Sequence, residues 1–295
     1  MNFLLQLLNG LQIGSIYALI ALGYTMVYGI ALLINFAHGE VIMIGAYTAV
    51  FTIQLFLANT NLPYILAVIP TVIICTLIGM LIERLAYKPL RNSPRISNLI
   101  TAIGVSLFLQ NLMMKLFGAQ SRSVPSILNA EPLNFFGAKI SFTTLVTIVV
   151  TTILTILLQL FIKKTKYGKA MTATSEDYGA AALVGISVDK TLTMTFAIGS
   201  ALAGVASILW VSSYPQAGPM MGSMLGIKAF TAAVVGGIGL IPGAVLGGLV
   251  LGIVEALTKA FISSKLSDAI VFGLLILVLL IKPSGLLGED RKEKV

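Results

Sequence analysis

Long apolar runs alternate with short polar intervals along the chain, and the runs set the first reading. A helix needs about 20 predominantly apolar residues to cross a bilayer. Phe3 to Leu22 supplies one, and Gly10 and Gly14 give it a small-xxx-small face for close helix approach. Tyr24 to Ile34 stays apolar, meets the polar break Asn35-Phe36-Ala37-His38-Gly39-Glu40, and apolar residues resume to Leu57. The pattern predicts a discontinuous segment, two helical pieces joined within the membrane. Such a break is tolerated only when buried in protein or lining a cavity. Further spans are expected over Pro63 to Ala86, Ser97 to Phe117, Phe142 to Ile162 and Leu192 to Val211. The short Leu225 to Ile238, then Ala244 to Phe261 and Asp268 to Ile281, complete the set. The expected fold is all-α and polytopic, with about 8–10 transmembrane segments, some discontinuous, in a single membrane domain over residues 1–295.

A second interruption, Gly236-Gly237-Ile238-Gly239-Leu240-Ile241-Pro242-Gly243, sits at a comparable place in the later half. Paired Gly/Pro-interrupted apolar segments mark internal repeats with a translocation path at their interface. An internal pseudo-repeat is therefore suspected, although no sequence repeat is visible. Candidate path or gate residues are Asn35, His38, Gly39 and Glu40, with Gly236, Gly237, Gly239, Pro242 and Gly243. Ionisable groups inside a span are costly and usually functional, which favours a polar constriction at His38 and Glu40. The competing reading has Asn35, His38 and Glu40 capping the exposed backbone of the break. One His and one carboxylate fall short of a metal-ligand set. The glycines either line a narrow pore or serve close packing, the latter supported by Gly243/Gly247 and Gly248/Gly252 as GxxxG pairs. Lys228 and Glu255 lie near span ends and are expected to snorkel to the interface. Asn98, Thr101, Ser106, Gln110 and Asn111 recur along one span and are expected to face the bundle or a pore.

With 57% hydrophobic and 10% charged residues, the chain cannot hide its apolar surface in one water-soluble core. The net charge of +8 comes from cations spread over span-flanking loops, which fits topology setting and not nucleic-acid binding. Lys and Arg mark cytoplasmic loops. That places Arg84 to Arg95, Lys163 to Lys190 and the tail 282–295 on one side, with nine crossings and an external N-terminus. Met1 to Gly39 carries no Lys, Arg, Asp or Glu, which argues against a cleaved signal peptide. Cys75 stands alone in an apolar run, so no disulfide framework is expected. Gly168-Lys169 is followed by Ala170 and lacks the upstream glycine of a phosphate-binding loop. ATP hydrolysis, if it drives the protein, is expected in another polypeptide.

The interval Lys163 to Lys190 is the longest polar stretch between spans. A chain reversal needs only a few residues, whereas this one is helix-forming and rich in small residues, as a docking surface would be. A solvated helix face is the alternative for Glu176 and Asp177. The pattern Ala173…Glu176-Asp177…Ala181…Gly185-Ile186 resembles the cytoplasmic coupling segment of ABC-transporter permeases, in particular the branched-chain amino acid (LivH-like) branch. INFAHGEVIMIGAY and AFTAAVVGGIGLIPGAVLGGLVLG resemble the same branch, and the match covers most of the chain.

The resemblance implies an ABC-importer permease subunit in the bacterial cytoplasmic (inner) membrane, with no cofactor of its own. Its partners would be a related permease in a heterodimer, two cytoplasmic ATPase subunits holding ATP-Mg, and an external substrate-binding protein. Ala173, Glu176, Asp177, Ala181, Gly185 and Ile186 would contact an ATPase subunit. Branched-chain amino acids are the implied cargo; relatives carry urea, short amides or other amino acids. An ion-coupled secondary transporter would have to use His38 and Glu40, and a membrane enzyme finds no catalytic constellation here.

Overall fold

The computed structural model describes residues 3–60, 62–91, 93–128, 131–135 and 138–288. Helices α1 (Phe3–Ala31), α2 (His38–Thr52), α3 (Val68–Ile82), α4 (Arg95–Phe117) and α5 (Phe142–Lys164) form the first part. α6 (Lys166–Glu176) and α7 (Tyr178–Leu183) lie outside the spans. The bundle resumes with α8 (Val188–Ser213), α9 (Met221–Gly236), α10 (Ile241–Phe261) and α11 (Ser267–Ile281). Among the described residues seven helical stretches are long and apolar enough to cross a membrane, and α9 and α11 are shorter apolar helices. Short strands β1 (Arg122–Ser123), β2 (Leu133–Phe135), β3 (Ala138–Ile140) and β4 (Gln216–Ala217) join loops, β1 pairing with β4 and β2 with β3. The charged end of the tail, 289–295, lies outside the described residues.

The first helix does not stop at Leu22. α1 runs unbroken to Ala31, because Tyr24 to Ala31 contains nothing that breaks a helix. It ends at Leu32, whose φ of 53° lies in the left-handed region rarely entered by a residue with a side chain. A helix apolar all round belongs in the interior, and α1 is accordingly enclosed by α5, α8, α9 and α10. Gly10 and Gly14 do form a packing face. A Cβ added at Gly14 would lie 2.8 Å from the Leu249 Cα, and one at Gly252 would lie 2.2 Å from the Gly14 Cα. The two GxxxG-type faces thus meet each other, backbone against backbone.

Both ends of the bundle are polar and tied. At one, Gln12 donates to Ser213 Oγ at 2.6 Å and accepts from Thr144 Oγ1 at 2.6 Å, while the Phe3 and Phe261 rings lie 6.3 Å apart. At the other, Lys88 pairs with Asp189 at 2.7 Å, and Arg91 bridges Asp189 and the buried Glu83. Tyr178 there donates to the Ile30 carbonyl at 3.3 Å. This second end is the cation-rich one, which the Lys/Arg bias assigns to the cytoplasm. The start of α1 lies at the opposite end, beside Ser213.

Lys228 and Glu255 do not snorkel; the structure corrects that expectation. Both are buried, and Lys228 Nζ sits 2.9 Å from Glu255 Oε1 and 2.7 Å from Asp268 Oδ1. Lys259 joins at Glu255 Oε1, and Tyr17 of α1 donates to Glu255 Oε2 at 2.7 Å. Lys228 lies midway along α9, and its ammonium is held by carboxylates of α10 and α11 and not left to water alone. Two cations face two anions and stitch α1, α9, α10 and α11 together.

Two outcomes follow. With Cys75 replaced by Ala, cysteines at positions 88 and 166 should react with an impermeant thiol reagent only from the cytoplasmic side, and at 126 and 213 only from outside. Labelling of position 166 in sealed cells would invert the topology. Removing one partner of a buried pair costs about 3 kcal/mol, so Lys228→Met should lower the thermal midpoint of the purified protein while Lys228→Arg should lower it less. An unchanged midpoint in Lys228→Met would return Lys228 to the interface.

Candidate translocation and coupling sites

The polar break after α1 is a connection between two helices, not an interruption of one. From Ala31 the chain turns back so that His38, the first residue of α2, lies beside Gly23 and Tyr24, two turns before the end of α1. A Cβ added at Gly23 would lie 2.3 Å from His38 Nε2, and the Tyr24 and His38 rings meet edge-on at 4.8 Å. α2 therefore starts inside the protein. Its N-cap position is held by Ala37 without a side-chain cap. The polar side chains of the break go elsewhere. Asn35 Oδ1 accepts from Tyr87 Oη at 3.0 Å, and His38 Nε2 has no protein partner.

Glu40 points to a third element. Its Oε1 accepts from Ser106 of α4 at 3.2 Å and from Ser223 of α9 at 2.8 Å, while Oε2 is buried without a partner. Gln110, one turn along α4, donates to Ser223 Oγ at 3.2 Å. Sequence reasoning marked Ser106 and Gln110 as inward-facing, and they are the residues that close this cluster. It missed Ser223, which precedes the span expected to begin at Leu225. It also missed the crossing that brings α9 to α2. A Cβ at Gly39 would lie 2.3 Å from the Gly222 carbonyl oxygen and 3.0 Å from the Gly226 Cα. The Gly222/Gly226 spacing was the available signal.

The second interruption is likewise a turn between helices. Gly237 (φ 109°) and Gly239 (φ 96°) adopt backbone conformations that only glycine takes without strain. Gly236 and Gly243 pack backbone to backbone across the turn, so that a Cβ at Gly236 would lie 1.8 Å from the Gly243 carbonyl oxygen. The tail seals the end of α9, with Leu286 and Leu287 N–H groups donating to the Val235 and Gly236 carbonyls at 2.8 and 3.0 Å. The glycine turn meets the end of α1, since the Gly239 carbonyl oxygen would lie 3.2 Å from a Cβ at Gly29. Gly239 and Pro242 also line a cavity of about 380 Å³ with Gly29, Thr172 and Glu176. The glycine turn thus faces α6 across this cavity.

The polar interval forms two short helices at the cation-rich end of the bundle. Thr165 caps α6 by accepting from Gly168 N at 3.0 Å, and Asp177 caps α7 by accepting from Ala180 N at 2.9 Å. Gly185 (φ 85°) ends α7, and Ile186 N donates back to the Ala181 carbonyl at 3.0 Å. Asp177 thus shapes the joint between the helices. Met171, Thr174 and Ala181 turn inward and are buried against the bundle, so Ala181 is not a surface residue. What projects is apolar: Leu183 is 91% and Val184 75% exposed, with Glu176 and Gly185 exposed beside them.

Residues 6–279 match the family described as branched-chain amino acid transport system / permease component. The chain is 46% identical to the high-affinity branched-chain amino acid transport system permease protein LivH of Salmonella typhimurium, over 99% of this chain and 98% of that one. It is 46% identical to the corresponding protein BraD of Pseudomonas aeruginosa, over 100% and 98% of the two chains. A more distant relative, the fructose import permease protein FruG of Bifidobacterium longum, is 25% identical over 91% of this chain and 82% of its own. No solved structure matches. An all-α multi-pass bundle matched over nearly its whole length in this way is a member of the branched-chain amino acid transport permease family.

Proposed function

We propose that this chain is the membrane subunit of an ATP-driven importer in the bacterial cytoplasmic membrane, and that it translocates branched-chain amino acids delivered by an external binding protein. The cargo follows the relatives named for branched-chain amino acid transport. The observation that carries the ATP-driven part is the α6–α7 element. A capped, rigid helix pair presents Leu183 and Val184 to the cytoplasm. Two large apolar side chains exposed side by side beyond the spans are what a partner's groove would cover. Glu176 lines the cavity that Gly239 and Pro242 also line, so displacement of α6 would change the space against the glycine turn. ATP and Mg²⁺ belong to the two ATPase subunits, and a related permease completes the pore. The path runs past Asn35, His38, Gly39 and Glu40, with the turn from Gly236 to Gly243 as the cytoplasmic gate.

Proteoliposomes test this. Leucine uptake should require this chain, a second permease, the ATPase subunits, the binding protein and ATP together. Uptake by this chain alone, driven by an ion gradient, would instead make it a secondary transporter. Leu183→Asp combined with Val184→Asp should reduce ATPase retention and uptake about tenfold or more, since desolvating two unpaired carboxylates in a docked groove is costly. Glu176→Lys and Gly185→Val should act in the same direction. Ala181→Trp should instead disturb the chain's own packing. Full ATPase retention by the Leu183/Val184 variant would leave the segment a solvated connection.

A further inference from the structure

Two polar networks lie inside the bundle, and they differ in charge balance. The Lys228 network is neutral, with each carboxylate facing an ammonium group. Glu40 has no such partner: among the described residues its carboxylate forms no ion pair. It is fully buried, and its surroundings are the Ser106 and Ser223 hydroxyls, the Gln110 amide behind them, and the Gly222 backbone.

A structural role does not call for that charge. Ser106 and Ser223 both bond Oε1, and the amide oxygen of a glutamine could accept both. The remaining oxygen, Oε2, lies against Gly222 and bonds nothing. A carboxylate in this setting carries a large desolvation cost that only a cation or a proton offsets. The wall on one side is α4, a largely exposed helix that meets α2 at this level through Ser106. The wall on the other is the Gly39/Gly222/Gly226 crossing, which is backbone contact and cannot give way. Movement of α4 is therefore what would open the site, and what enters would meet a carboxylate with one free oxygen, two hydroxyls and an amide.

We propose that Glu40, with Ser106 and Ser223, forms a station in the permease that binds the α-ammonium group of the passing amino acid. This rests on the reading of the chain as an amino-acid permease. The ammonium supplies the missing counter-charge to Oε2, and its three N–H donors match the free carboxylate oxygen and the hydroxyls. The carboxylate and aliphatic side chain of the substrate are not recognised here. Discrimination at this station is by charge.

The test separates charge recognition from structure. The full-length protein, purified with the subunits it retains and held in lipid nanodiscs, is titrated with leucine, with isopentylamine, which lacks the carboxylate, and with isocaproate, which lacks the amine. Glu40→Gln should weaken leucine and isopentylamine binding about tenfold or more, the scale of one charged hydrogen bond, and leave isocaproate unchanged. Glu40→Asp should keep the preference for amine over acid. Equal weakening of all three ligands would make Glu40 a structural residue and overturn the proposal. So would failure of isopentylamine to bind the parental protein, or loss of the preference in Glu40→Asp. None of these readings involves ATP. Failure of the importer reading would appear separately, as uptake that needs no ATP.

Discussion

Inside a bilayer no hydrophobic force draws one helix to another, so helices associate where their backbones can approach closely. The α1–α10 contact at Gly10, Gly14, Gly248 and Gly252 is the interaction on which the rest of this bundle depends. It places α1 at the centre, and every polar cluster is positioned relative to it. Tyr17 reaches Glu255 from α1, Tyr24 packs on His38 from α1, and Ile30 receives Tyr178 of the coupling segment. A side chain larger than glycine at any of these crossings would move all three.

The second crossing, α2 over α9, divides the interior into two electrostatic regimes. α9 shows Gly222, Ser223 and Gly226 to the start of α2, and Lys228 to α10 and α11. Ser223 and Lys228 are five residues apart and so about 140° apart around the helix. On one face the charges are matched and serve cohesion. On the other a carboxylate is left unmatched where an exposed helix forms the wall. A bundle that needed only stability would have matched both.

Much of this was legible in the sequence because span length, the Lys/Arg bias and glycine spacing are local signals. They gave the all-α bundle, its spans and the Gly10/Gly14 face. What failed were pairings across the bundle. Lys228 and Glu255 each read as a charge near a span end that would snorkel, and only their meeting across 27 residues of sequence explains them. Ser223 seemed a loop residue because α9 begins at Met221, earlier than its apolar run. The continuous α1 was mistaken for two pieces because its length exceeds a simple span. Ala181 was assigned outward because small residues suit either a docking surface or a packed one, and burial alone decides between them.

The coupling segment and the Glu40 cluster belong to one device only if α4 moves away from α9 during transport. Both serines that close the cluster lie on those two helices, bonded to the same carboxylate oxygen. The most direct measurement is uptake by a Met113→Cys, Met221→Cys double variant, which joins the same two helices at an apolar group outside the cluster, in a Cys75→Ala background, before and after bridging with a short cleavable bifunctional thiol reagent. The bridged protein should lose ATP-driven leucine uptake and regain it when the bridge is cleaved. Uptake at the unbridged rate with the two helices locked together would show that the substrate does not pass between them.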